Sequence, residues 1–268
     1  MRIGLIGIGR MGKGIAGMAL DEGMEVVAAV DVPENPNIGK DIGLLVGHEA
    51  TGVKVSSSEN LNEILNESKP EVMVDFSTSE ACVKNSKTVV ENRIDMVIGT
   101  TGFSDAQIQE IKDNILANDA GAVIAPNMSV GVNVFFKTAG ELTKLLKDRG
   151  YDIEIVEAHH IFKKDAPSGT ALRAARVIAD ALGKNLDDVA VYGRKGLKER
   201  SKDEIGIHAV RAGDIVGEHT VIFSTQGESI RLEHRAHSRD AFVKGVIEAI
   251  KFIKGKKGLY DMGDVIGV

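Results

Sequence analysis

The sequence predicts an α/β protein: a Rossmann-type, doubly wound parallel sheet, with a smaller α+β domain that carries an open mixed sheet. Three observations carry this. Short apolar runs alternate with amphipathic segments through the first half, the pattern of parallel strands joined by crossover helices. A glycine-rich turn, Gly7-Ile8-Gly9-Arg10-Met11-Gly12, falls between the first apolar run and the first helical segment. From about Met128 the character changes, and longer segments alternate in the way of strands buried on one face.

Arg2–Ile6 reads as a short apolar strand, and Gly12–Glu22 as a helix closed by Gly23. Met24–Val30 is the second strand and ends at Asp31. A loop with Pro33, Pro36 and several glycines runs through Gly52 to a short strand at Val53–Val55. Asn60–Glu67 is helical, Val72–Phe76 a buried strand, and Ser79–Asn92 the next helix. Met96–Ile98 and Ala122–Ala125 are strands on either side of a helix at Ser104–Asn118, the last strand stopping before Pro126.

In the second half, the helix Val130–Leu146 leads into Tyr151–His159, which alternates with period two. A glycine-bearing loop precedes the helix Thr170–Leu182. Val189–Val191, Ile207–Arg211, Gly217–Ser224 and Glu228–Ala236 read as strands of the open sheet. Asp240–Ile253 is an amphipathic helix whose apolar residues are Phe242, Val243, Val246, Ile250 and Phe252. No internal repeat interrupts this order.

With 268 residues the chain can bury a sizeable core, as one large domain or two modest ones. A net charge of −6 opposes nucleic-acid binding, because phosphates demand a positive surface. The lack of Trp and scarcity of aromatics remove the stacking platforms that single strands need. A lone cysteine, Cys82, allows no intrachain disulfide and fits a cytoplasmic setting; within a helix it is a small buried hydrophobe. The apolar run at the N-terminus is too short and glycine-broken for a signal peptide, and no stretch reaches the length of a membrane span.

The glycine turn is a dinucleotide-binding fingerprint in its proper context. Gly7 permits the tight turn, Gly9 lets the backbone approach a pyrophosphate, and Gly12 allows close helix–strand packing. Ile8, Arg10 and Met11 complete the turn, and Asp31, about 20 residues on, stands where an acid binds a ribose hydroxyl. Asp31 favours NADH, whereas Arg10 and Lys13 could offset its repulsion of a 2′-phosphate, so NADH and NADPH both stay open. Gly99, Thr100 and Thr101, and then Ala125, Pro126, Asn127 and Met128, follow later strands at the sheet edge where open α/β folds bind ligands.

The densest chemistry lies in Glu157-Ala158-His159-His160-Ile161-Phe162-Lys163-Lys164-Asp165-Ala166-Pro167-Ser168-Gly169-Thr170-Ala171. Two histidines and two lysines stand at a strand end, before a turn that opens a helix. Pro167 stiffens the approach and Ser168 or Thr170 can cap the helix, so that the N–H groups of Gly169 and Thr170 form an anion site. A carboxylate substrate suits it, with His159 and Lys163 as acid–base groups. Metal is disfavoured, because adjacent histidines on a strand point to opposite faces and no further ligand stands at the right spacing. A basic surface loop with a capping turn is the plainer alternative.

This stretch resembles the signature of the dihydrodipicolinate reductases, E-[LA]-H-H-x-x-K-x-D-A-P-S-G-T-A, at every fixed position. The opening G-x-G-R-M-G, Asp75-Phe76-Ser77, the run VIGTTGF at 97–103, Asn127 to Asn133 and the ending GLYDMGDVIGV are similar to that family too. The resemblance implies NAD(P)H-dependent reduction of 4-hydroxy-tetrahydrodipicolinate, after loss of water, to tetrahydrodipicolinate. It implies His159 as proton donor and acceptor, Lys163 as general acid, and His160 as a substrate contact. Gly169 and Thr170, with Ser168 nearby, would hold the carboxylates, and the glycine turn, Asp31 and the later strand ends would line the cofactor. It further implies a dinucleotide-binding domain of residues 1–127 and 239–268, and a substrate-binding and oligomerisation domain of residues 128–238 that builds a homotetramer; junctions near Gly131 and Ser238 are read as hinges on which the two domains close around their ligands. Some relatives place an arginine after the acid, where this chain has Val32, and Lys164 is an additional cation. Two rivals remain: another two-domain dehydrogenase of amino-acid metabolism, and a catalytically silent NAD(P) sensor.

Overall fold

The structure, a computed structural model, describes residues 1–268. Its contacts divide the chain into one unit of Met1–Val130 with Phe242–Gly267 and a second of Gly131–Ala241.

The first unit is a three-layer α/β sandwich. Seven parallel strands lie in the order β12-β6-β5-β4-β1-β2-β3, where β1 is Arg2–Ile6, β2 Glu25–Asp31, β3 Val55–Ser57, β4 Val72–Asp75, β5 Asp95–Ile98, β6 Gly121–Ile124 and β12 Gly258–Tyr260. Winding reverses between β1 and β4, the switch point at which such sheets bind ligands. Alternation explains the layers. Val72 and Val74 of β4 face the cluster formed with α1 (Arg10–Asp21) and α9 (Asp240–Ile253). Met73, between them, faces the cluster formed with α3 (Leu61–Ser68), α4 (Ser79–Glu91) and α5 (Asp105–Ala117). Local chemistry sets the helix starts: Ser104 and Gln107 close a reciprocal capping box at α5. Cys82 is fully buried in α4, and burial pushes its thiol up, away from reactivity.

The second unit packs α6 (Val130–Leu146) and α7 (Gly169–Leu182) on one face of a mixed sheet ordered β11-β10-β7-β9-β8. The central strand is β7 (Asp152–His159); β8 is Ala190–Tyr192, β9 Ile205–Arg211, β10 Gly217–Thr225 and β11 Glu228–Ala236. Strand β9 runs parallel to β7, and β10 antiparallel to β7 and β11. The odd residues of β7, Ile153, Ile155, Glu157 and His159, all point inward.

The Rossmann-type sheet and the second mixed sheet are as the sequence predicts. The structure adds β12, the four-residue helices α2 (Ile42–Leu45) and α8 (Leu186–Val189), and α10 (Met262–Ile266); Val189, read from sequence as the start of a strand, closes α8, and β8 begins one residue later. Strand β12 has three residues after a lysine pair and no apolar alternation, so only its pairing with β6 reveals it. Helix α1 starts at Arg10 rather than Gly12, because the second half of the glycine turn is already helical. Helix α7 starts at Gly169 rather than Thr170, because Ser168 takes the cap position.

Candidate active site

In the first unit, the strand ends build a cradle. Gly7 has φ +91, and a Cβ there would meet the Phe76 carbonyl carbon at 2.7 Å. A Cβ at Gly12 would overlap the Gly7 carbonyl, which only glycine avoids. Nothing stands within 4 Å of where a Cβ of Gly9 would sit, so its backbone is open to a close anion. Asp31, at the end of β2, accepts from Ile8 N–H at 2.6 Å and from Val32 N–H at 2.7 Å. The carboxylate is thus fixed against the turn while keeping acceptor capacity for a ribose hydroxyl. Arg10 is exposed and Met11 half-buried.

Gly99 leaves room for the Phe76 ring, so the Gly99–Thr101 turn and the Gly7 turn pack on the same residue. Thr100 is buried and Thr101 exposed. Ala125 and Met128 are buried, Pro126 exposed and Asn127 half-buried, with Asn127 Oδ1 accepting from Ser129 N–H at 3.0 Å. Met128 turns its side chain into the core, so only its backbone remains for a ligand. The open Gly9, the α1 N-terminus and the anchored Asp31 fit a dinucleotide.

Asp75 braces this edge. Its fully buried carboxylate accepts from Ser77 N–H (2.9 Å), Ser77 Oγ (2.6 Å), Thr100 Oγ1 (2.8 Å) and Asn85 Nδ2 (3.1 Å). Asp75→Ala would strand these donors, each at a cost of about 1–3 kcal/mol. Urea unfolding is expected to show a loss of about 3–5 kcal/mol; a loss below about 1 kcal/mol would mean that water satisfies the donors.

In the second unit, the residues of the histidine–lysine stretch converge where β7 ends and α7 begins. Glu157 and His159, two apart on one face of β7, meet through Oε2 and Nδ1 at 2.6 Å. Glu157 is fully buried; it accepts from Ser168 N–H at 2.9 Å and from both terminal nitrogens of Arg211 at 2.8 Å each. Arg211 also donates to the Asp165 carbonyl at 2.6 Å, and the Asp165 carboxylate holds Lys163 Nζ at 2.9 Å. Ser168 Oγ caps Ala171 N–H and lies 3.1 Å from His219 Nε2. The peptide between Ala166 and Pro167 is cis.

Burial alone would raise the Glu157 carboxyl, but Arg211, His159 and the Ser168 N–H outweigh it and hold it below the usual carboxylate range. Burial pushes His159 below its ordinary value against the pull of Glu157, with Lys163 and Arg211 adding to the push. Burial and neighbouring His159 push His219 down to about 3.

Sequence reasoning placed His159, Lys163, Gly169 and Thr170 in this neighbourhood, and the structure brings them together. Gly169 is exposed with open space where a Cβ would stand, and Thr170 is half-buried. His160 is half-buried, with a buried Nδ1 that no protein group satisfies. Ser168, read from sequence as a possible cap and as a neighbour of the carboxylate site, takes the cap: it is 1% exposed, and its hydroxyl and N–H are engaged inside the protein. Arg211 and His219 were missed. They enter from β9 and β10, and only strand register brings them beside His159 and Glu157. Glu157 carried a legible signal, its spacing of two from His159.

Comparison with known proteins agrees with this geometry. Family models described as the N-terminus and C-terminus of dihydrodipicolinate reductase match residues 1–128 and 131–266. The 4-hydroxy-tetrahydrodipicolinate reductase of Methanothermobacter thermautotrophicus is 52% identical over 264 residues, covering 97% of this chain and 96% of that protein. That of Methanocaldococcus jannaschii is 52% identical, covering 97% and 95%. Among solved structures, dipicolinate-bound dihydrodipicolinate reductase from Paenisporosarcina sp. TG-14 matches with TM-score 0.76 and 28% identity, covering 97% of both chains. An amine dehydrogenase from Mycobacterium smegmatis, TM-score 0.61 at 14% identity, shares the fold alone.

Proposed function

The chain belongs to the dihydrodipicolinate reductase family, and from that premise we propose how its residues carry out the family's reaction. It is an NAD(P)H-dependent oxidoreductase that reduces 4-hydroxy-tetrahydrodipicolinate to tetrahydrodipicolinate in lysine and diaminopimelate biosynthesis. The observation that carries the assignment of roles is the convergence of His159, Lys163 and the Gly169–Thr170 helix start on one end of β7.

The first-unit residues that would hold the dinucleotide are Gly7 to Gly12, Asp31, Gly99 to Thr101 and Ala125 to Met128. When bound, the reduced nicotinamide supplies a hydride to the conjugated imine formed on loss of water. Gly169 and Thr170 hold the substrate carboxylates at the positive end of α7, and His160 contacts the ring substituents. The Lys163 ammonium stabilises the negative charge that develops on the substrate and delivers a proton to carbon. His159 exchanges protons at the same site.

A coupled assay tests this reading. Fresh substrate is generated from pyruvate and aspartate semialdehyde by the preceding synthase, and nicotinamide absorbance is followed. Oxidation is expected only with both synthase and this protein present. Folded protein that binds the cofactor yet oxidises none of it would support a sensor instead.

The fixed Asp31 carboxylate, followed by Val32 rather than a cation, supports a preference for NADH. Asp31→Ser is expected to move the ratio of the two dissociation constants toward NADPH by about tenfold or more, since the unscreened repulsion it removes is worth a few kcal/mol. Fluorescence titration with each cofactor checks this, and an unchanged ratio would contradict it.

The dinucleotide-binding part is assigned to residues 1–127 with 239–268, and the substrate-binding and oligomerising part to 128–238. The second sheet's outer face supports a homotetramer. Val156, Ala158, Thr220 and Ile222 are half-buried there, Val210 is 43% exposed, and none of them joins a core cluster. A cytoplasmic setting rests on the single, buried, unpaired cysteine. No helix is long and apolar enough to cross a membrane.

A further inference from the structure

Four donors converge on the two oxygens of one fully buried side chain. Glu157 Oε1 receives Ser168 N–H and Arg211 Nη2, and Oε2 receives Arg211 Nη1 and the His159 ring nitrogen Nδ1. We propose that Glu157, clamped by Arg211, is a positioning residue that fixes His159 in the Nδ1–H tautomer, presents Nε2 to the substrate, and ties the ring to the start of α7. This deepens the reductase reading and rests on it for the role of His159.

An ionised carboxylate can only accept, so the imidazole nitrogen 2.6 Å from it carries the hydrogen. The other nitrogen, Nε2, is then the one that takes up and releases a proton. It lies beside Gly217, where a Cβ would approach to 3.2 Å, so glycine preserves its space. The bidentate guanidinium keeps the carboxylate in plane and charged, as a single donor would not. His159 and Arg211 are register partners in β7 and β9, so the sheet itself sets the clamp.

The same carboxylate reaches the rest of the site. Through Ser168 N–H it holds the residue that caps α7, and through Arg211 it engages Asp165, the ion partner of Lys163. Proton carrier, general acid and carboxylate-binding helix start thus share one buried anchor. The charged and titratable groups facing His159 are Glu157 on its own strand, Arg211 on β9, His219 on β10 with its ring 5.2 Å away edge-on, and Lys163 on the following loop.

Glutamine cannot replace this glutamate, because its amide nitrogen would face two donors. Glu157→Gln is expected to lower kcat by about 10- to 100-fold, the scale of a misaligned acid–base group. Cofactor affinity should stay within about twofold, and the loss should fall on kcat more than on the KM for substrate. Without its anion the imidazolium is less favoured, so a rate limb that reports His159 should move about one pH unit toward acid. In the 15N-labelled wild-type protein, long-range 1H–15N correlation should show neutral His159 protonated at Nδ1 alone, and the variant should show mixed tautomers. A wild-type Nε2–H tautomer would overturn the proposal even if the variant fails to fold. So would a folded variant with unchanged pH profile and tautomer. Absence of turnover in the wild-type protein, with the Nδ1–H tautomer present, would contradict the reductase reading and leave the positioning of the ring standing.

Discussion

Lys163→Ala is expected to reduce turnover by about 10²- to 10⁴-fold while NADH affinity changes by less than about twofold. The lysine lies on the loop after β7, its side chain 22% exposed and its ammonium 2.9 Å from the Asp165 carboxylate. That ion pair aims the cation on a half-buried side chain, so the variant loses a charge together with part of its packing. The reaction builds negative charge on the substrate as the hydride arrives, and a positioned ammonium acts on the transition state more than on the ground state. The loss should therefore appear in kcat more than in KM. Combining it with His159→Gln should deepen the effect by less than the product of the two, because both groups act on one site. Stopped-flow kinetics with NADH titration separates these outcomes. A Lys163→Ala protein with near wild-type kcat would remove the lysine from the chemistry.

The second large effect concerns stability and acid. His219 is 4% exposed, its Nδ1 has no partner, and burial with His159 nearby pushes it from 6.5 to about 3. Its folded value is depressed, so between pH 6.5 and about 3 the unfolded chain binds a proton that the folded chain refuses. Stability from this group is complete above its unfolded value and is lost as pH falls toward its folded value. On the order of 3 kcal/mol should go between about pH 7 and pH 4. Glu157, also held low, adds a loss of the same sign at the acid end. Urea midpoints across this range should fall steeply in the wild type and less steeply in His219→Gln. Equal slopes would show that His219 titrates normally in the folded protein.

Much of the fold was legible because the first unit obeys local rules. Strand β4 alternates Val72, Met73 and Val74 between two cores, and the glycine turn announces the first crossover. Strand β12 was illegible because a three-residue edge strand owes its existence to the partner β6, and its own sequence shows no period. The candidate site divides the same way. His159, His160, Lys163 and the Ser168–Thr170 turn are contiguous, and a contiguous stretch can be read directly. Arg211 comes from 54 residues beyond Glu157, and His219 from 51 beyond Ser168, so neither carries a local mark. Ser168 lies between these cases. Its residue type fits both a ligand contact and a cap, and only its burial shows that the cap took the hydroxyl.

This chain moves a hydride from a nicotinamide onto a cyclic unsaturated dicarboxylate. Supplying NADH dideuterated at C4 in the synthase-coupled reaction, and weighing the product by mass spectrometry, tests that transfer most directly. The expected product is tetrahydrodipicolinate carrying one deuterium, formed at the rate of cofactor oxidation and nearly abolished in Lys163→Ala. Cofactor oxidation without label in the product, or unreduced substrate beside folded and cofactor-bound protein, would contradict it.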